Sequence, residues 1–183
     1  MDQPTTTTPI ACDMTSAPDT GPERMREYGR LFARALVGRE RTAEGIRFRF
    51  RAGDGIEAWV RDLAAREKAC CPFFDSGINT VGDEVHWDAT VIDDDIARAI
   101  LDEFYALPDT VADGVEGLEN RLGERGLEIM VNPAGTVMEV RHAAVDRGES
   151  SVPERVSLFR GSARGRRGSG RGRTRSSRRD RTA

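Results

Sequence analysis

Apolar positions recur along this chain with two periods, and the change from one to the other marks its elements. Met25, Tyr28, Leu31, Phe32, Ala35 and Leu36 fall at i, i+3, i+4 spacing and predict a helix. Thr20 with Glu23 three residues on has the capping-box pattern, Pro22 lies in the first turn and Gly38 is a plausible stop. Ile46 to Arg51, IRFRFR, then alternates with period two and predicts a strand with one buried face. Arg47, Arg49 and Arg51 share its other face, where they are solvated or paired with carboxylates, or else meet an anionic ligand.

The helical period returns at Ile56, Trp59, Val60, Leu63, Ala64 and Glu67, and Cys70 and Cys71 continue that stripe. Asp54 and Glu57 read as its capping box, and Pro72 disfavours helical geometry at Cys71, so the helix should end there. Phe73–Thr80 and Glu84–Ile92, joined by Gly82-Asp83, predict a short-loop hairpin. Within its second strand Val85, Trp87, Ala89 and Val91 share one face, and His86, Asp88 and Thr90 the other. Asp93, Asp94 and Asp95 open a third helix with Ile96, Ala99, Ile100, Phe104 and Leu107 as its stripe, closed by Pro108.

Strand, helix, hairpin and helix, with one helix before them, predict an α+β domain of two layers over residues 20–108. Trp59, Leu63, Trp87, Ile100 and Phe104 are its expected core. Residues 1–19, rich in Thr, Pro and Asp, are expected to be irregular or disordered. Residues 109–159 carry a weak helical pattern at Val111, Val115, Leu118 and Leu122. A hairpin about Asn132-Pro133-Ala134-Gly135 is expected next, and together these read as a loosely defined extension. Residues 160–183 are Arg/Gly/Ser low complexity and cannot bury a core, so they are expected to be disordered.

Charge sharpens that division. The net charge of −3 combines ten arginines against one aspartate in residues 160–183, +9, with −12 in residues 1–159. Such a tail can neutralise phosphates without reading sequence, so non-specific nucleic-acid binding through residues 160–183 is one functional reading. No run is long enough for a membrane span and no signal segment opens the chain, so the expected compartment is the cytoplasm. Three cysteines is an odd number, which argues against a closed disulfide framework and suits a reducing environment.

Those cysteines carry the candidate chemistry. Cys70 and Cys71 are adjacent at a helix end and admit two readings: small hydrophobes in the core, or ligands for a soft ion. Adjacent thiols depart from the usual zinc spacing. Cys12 is either an inert thiol in the tail or a third thiolate brought in as the N-terminal segment folds over, and His86 is a fourth candidate ligand. There is no G-x-S-x-G, phosphate loop, H-E-x-x-H or dinucleotide fingerprint. With only His86 and His142 as imidazole bases, an enzyme ranks last.

The segment Ala64 to Phe74, AAREKACCPFF, resembles that of a group of small, poorly characterised bacterial proteins. They share a helix reading roughly E-x-x-C-C-x-F, then a short hairpin and a helix that starts after an acidic turn. Here Glu67, Cys70, Cys71, Phe73 and Phe74 carry the match, over about residues 20–108. In some relatives the segment accompanies regulators of the mercury-resistance type. The resemblance implies a metal- or thiol-related role, with a metal-responsive regulator as the expected partner, and it brings no catalytic assignment; the thiols themselves point to a soft ion such as Zn, Cd or Hg. The chain has no recognisable helix-turn-helix of its own.

Overall fold

The computed structural model describes residues 10–144. The first strand, β1 (Ala11–Asp13), is followed by α1 (Gly21–Ala35), β2 (Leu36–Arg41), β3 (Gly45–Arg51), α2 (Ile56–Cys70), β4 (Phe74–Val81), β5 (Glu84–Val91) and α3 (Asp95–Thr110). A 3-10 turn at Val111–Asp113 leads into α4 (Gly114–Glu124), β6 (Leu127–Val131) and β7 (Val137–His142). The class is α+β, with two antiparallel sheets ordered β2-β3-β5-β4 and β1-β7-β6.

The four-stranded sheet and the first three helices share one core. Phe48 and Phe50 of β3 and Val85, Trp87 and Ala89 of β5 are almost fully buried. They form one cluster with Tyr28, Leu31 and Phe32 of α1, Val60 and Leu63 of α2, and Leu101 of α3. Residues alternate across the sheet, so Arg47, Arg49, Glu84, His86 and Asp88 fall on its outer face. There Arg47 Nε donates to Asp88 Oδ1 at 2.7 Å, and Arg49 Nη1 lies 3.4 Å from Glu84, so two of the three strand arginines pair with carboxylates. Gly82, at φ 62°, supplies the left-handed residue that the two-residue β4–β5 turn needs. Gly45 is required for another reason: a Cβ there would lie 2.2 Å from the Ala89 carbonyl oxygen.

The helix starts differ in how they are capped. Thr20 forms the expected capping box with Glu23, and Asp94 Oδ1 accepts from the amides of Ile96 and Ala97 to cap α3. The expected box at Asp54 and Glu57 does not form: Gly55, left-handed at φ 78°, takes the N-cap position and offers no side chain. Pro108 does not close α3, which runs on to Thr110 with the proline inside its last turn.

Three further expectations need correction. Residues 11–13, expected to be irregular, form β1 and pair with β7 from Ala11↔Glu139 to Asp13↔Val137. Leu36, counted on the stripe of the first helix, instead opens strand β2, and Gly38, the expected helix stop, lies inside that edge strand, whose register is irregular between Leu36 and Gly38. Beyond Pro108, α4 and the β6–β7 hairpin are ordered elements, and β7 is the centre of the second sheet. Residues 1–9 of the expected N-terminal tail, and residues 145–183 with the Arg-rich segment, lie outside the described residues.

Of the expected core, Leu63 and Trp87 are buried at 0% and 1% exposure. Trp59 is half-buried, with Nε1 donating to Glu27 Oε1 at 2.8 Å. Ile100 and Phe104 are also only half-buried, because they line a cavity of about 170 Å³ rather than close-packed interior.

Candidate sulfur–carboxylate site

Cys70 is the last residue of α2 and Cys71 its C-cap. The proline that follows pushes Cys71 out of helical geometry, to φ −119° and ψ 81°, while its amide still donates to the Glu67 carbonyl at 2.7 Å. That break lets two adjacent side chains serve one place, with their sulfurs 3.5 Å apart. Glu67, three residues before Cys70 on the same helix face, brings Oε2 to 3.9 Å from Cys70 Sγ. A carboxylate oxygen of Glu67 and the sulfurs of Cys70 and Cys71 lie within 4.8 Å of one another.

The N-terminal segment does fold over, as one reading of Cys12 required, and the contact is covalent. Cys12 of β1 is joined to Cys71 in a disulfide that spans 59 residues of chain, which corrects the expectation that the odd cysteine count leaves no bridge. Cys70 is the remaining free thiol, 4% exposed. His86 is not brought to this group. It lies on the outer face of the sheet, where Nε2 is 3.1 Å from Glu84 Oε2 and the sheet separates it from the helices.

Two side chains of α1 complete the site. Arg24 and Tyr28, one turn apart, both face Glu67 and Cys70. Arg24 Nη1 donates to Cys70 Sγ at 3.1 Å and lies 3.3 Å from Glu67 Oε1, while Nε and Nη2 reach Asp19 at 3.0 and 2.6 Å. Its side chain is 5% exposed, so this is a buried ion pair whose hydrogen bonds must offset the loss of hydration. Arg66 of α2 ties the same network to Asp19 and to Glu27, tethering α1 to α2. The Tyr28 hydroxyl is buried, faces Glu67 and has no partner within hydrogen-bonding distance and angle.

Burial sets the protonation of the group. It pushes the Cys70 thiol up to about 11, helped by the Glu67 charge and opposed by Arg24. Burial also raises Glu67, again against Arg24, and holds Tyr28 well above the usual phenol range. The hydrogen bond from Arg24 keeps Asp19 below the usual carboxylate range. At neutral pH Cys70 is therefore a protonated thiol, which is the wrong state for an activated nucleophile.

The roles of Arg24 and Tyr28 in this site escape notice in the sequence because Glu67 and Cys70 are remote from them along the chain, with Arg24 and Glu67 separated by 43 residues. A signal existed, since Arg24 sits at the i−4 position from Tyr28 on the otherwise apolar face of α1, where a charged residue requires a buried partner.

Fold and site together define a small α+β protein with three sulfurs and a carboxylate gathered in a largely buried group. No protein family, curated protein or solved structure matches the chain. Among the described residues no helix is long and apolar enough to cross a membrane.

Proposed function

We propose that the reduced protein binds one soft divalent ion, of the Zn(II), Cd(II) or Hg(II) kind, and that oxidation of Cys12 and Cys71 switches this binding off. The carrying observation is that all three cysteines of the chain meet at one point beside Glu67. In the disulfide form Cys71 has no thiolate to offer, so the donor set is incomplete. Reduction supplies two electrons and two protons from an external thiol and leaves Cys12, Cys70 and Cys71 as potential thiolates. Three thiolates and a carboxylate outweigh the single positive charge of Arg24, so a divalent cation is electrostatically favoured. Sulfur donors select a soft ion over Mg(II) or Ca(II). A cleft of about 100 Å³ between residues 13–18 and α2 reaches Cys70 and gives an ion a way in. The resemblance of the E-x-x-C-C-x-F segment to proteins found with metal-responsive regulators supports the same role in metal response.

Calorimetric titration of the fully reduced protein with Cd(II) tests this. One ion should bind per chain, with release of protons and with affinity that falls as pH falls. Cys70→Ser and Cys71→Ser should each lose binding severely, Cys12→Ser partly, and the oxidised protein should lose it severely. A doubly substituted Cys70→Ser, Cys71→Ser protein that binds Cd(II) as tightly as the wild type would overturn the assignment.

A further inference from the structure

The cavity beside the sulfur group has a composition that ion binding does not use. Its walls are predominantly apolar, with Met25 from α1, Phe74 from β4, Ile100 and Phe104 from α3 and Leu118 from α4. Its volume, about 170 Å³, is near the roughly 150 Å³ of an engineered apolar cavity that takes up benzene, and it is partly open to solvent. Protein interiors are otherwise close-packed, and a void of this size leaves its lining without contacts.

Four charged side chains line it, and each is already paired. Arg24 is held by Asp19 and Glu67, and Glu103 accepts from Arg121 at 2.6 Å and pairs with Arg125 at 3.2 Å. No net charge is left over to hold an ionic ligand. One polar group in the lining lacks a partner: the Tyr28 hydroxyl, on a residue 3% exposed. A buried hydroxyl without a hydrogen bond is costly unless something else enters to meet it. Glu67 stands beside it, out of hydrogen-bonding geometry, so that a group between the two could meet both.

We infer that this cavity binds a small neutral aromatic molecule bearing one hydroxyl, of the phenol class. The ligand oxygen accepts from Tyr28 Oη, its own hydroxyl donates to the Glu67 carboxylate, and its ring lies against Phe104 and Phe74. These two rings already meet edge to face at 5.6 Å and present the aromatic wall that such a ring packs against. Binding requires neither a metal nor a reduced disulfide, so the inference stands apart from the ion-binding proposal.

The test is fluorine NMR titration of the oxidised full-length protein with para-fluorophenol and with fluorobenzene. Para-fluorophenol should bind one per chain and more tightly than fluorobenzene. Tyr28→Phe should weaken it about tenfold, the effect of one lost hydrogen bond, and leave fluorobenzene within about twofold. Leu118→Trp or the milder Val115→Phe, filling the cavity from α4, should abolish both. If wild type binds fluorobenzene as tightly as para-fluorophenol, or Tyr28→Phe leaves the phenol affinity unchanged, water serves Tyr28 and the inference fails. It fails equally if a folded cavity-filling variant binds both probes as wild type does.

Discussion

Cleaving the Cys12–Cys71 bridge should change the unfolded chain more than the folded one, and the size of the effect can be worked from the structure. The bridge closes a loop of 59 residues. In the chain-entropy model a loop of that length restricts the unfolded ensemble by about 4 kcal/mol at 25 °C. In the folded protein β1 keeps its pairing with β7, and Ile10 stays buried at 6% exposure, so little native packing depends on the S–S bond itself. Reduction should therefore lower the unfolding free energy by about 3–5 kcal/mol, with a steeper urea dependence because the reduced unfolded chain exposes more surface. The assay is urea denaturation followed by tryptophan fluorescence, with and without a phosphine reductant. Cys12→Ser should match the reduced wild type under both conditions. A difference below about 1 kcal/mol between oxidised and reduced wild type would refute the reasoning, since the unfolded chain would then not be the state that the bridge constrains.

Trp87 is 1% exposed, its ring packs on Tyr28, Phe48 and Phe104, and Nε1 donates to Ser76, so Trp87→Ala should cost about 3–5 kcal/mol in the same denaturation assay. Arg24→Ala leaves Glu67 and Asp19 without their shared donor and should also cost about 3–5 kcal/mol, with a loss below about 1 kcal/mol showing that Arg66 compensates. The Cys70 thiol, raised from 9.0 to about 11, keeps its proton in the folded state after the unfolded state has lost it. Its contribution to stability is thus full below about pH 9 and is lost as pH rises towards 11, a fall that Cys70→Ala should not show in thermal melts across that window.

How much of this was legible in the sequence depends on the range of the interactions that fix each element. The helices α1 and α3 and the β4–β5 hairpin are set by stripes, caps and a turn glycine within a dozen residues, so their pattern can be read directly. Strand β2, LVGRER, has a glycine in its interior and no alternation, and as an edge strand it buries little on either side. Its existence is decided by pairing with β3. Strand β1 has three residues, too few for a period, and is defined by β7, more than 120 positions later, and by the bond to Cys71. The site divides in the same way. Glu67, Cys70 and Cys71 share one helix end and were visible as a cluster, whereas the roles of Arg24, Tyr28 and Cys12 depend on α1 and β1 being laid against that end. His86 was a reasonable ligand by residue type, and only the alternation of β5 puts it behind the sheet.

The geometry at Pro72 links redox state to ion binding. Adjacent residues inside a helix point about 100° apart, so two neighbouring cysteines within α2 would serve different surroundings. Because the helix breaks at Cys71, Cys70 faces Arg24 and Glu67 while Cys71 turns to Cys12, and the two sulfurs still come within 3.5 Å. The same Cys71 sulfur is therefore needed for the bridge and for the proposed ion site, and it cannot serve both. Oxidation stabilises the fold by about 4 kcal/mol and removes a donor, and reduction restores the donor and weakens the fold. An ion at a hundred times its dissociation constant returns about 2.7 kcal/mol to the reduced form, which offsets most of that loss. Linkage makes the effect reciprocal: a bound ion must make the cysteines harder to oxidise by the same factor by which oxidation weakens ion binding. The redox potential of the Cys12–Cys71 pair, measured against glutathione, should accordingly move to more oxidising values as Cd(II) is added. An unchanged potential would mean that ion and bridge do not share Cys71.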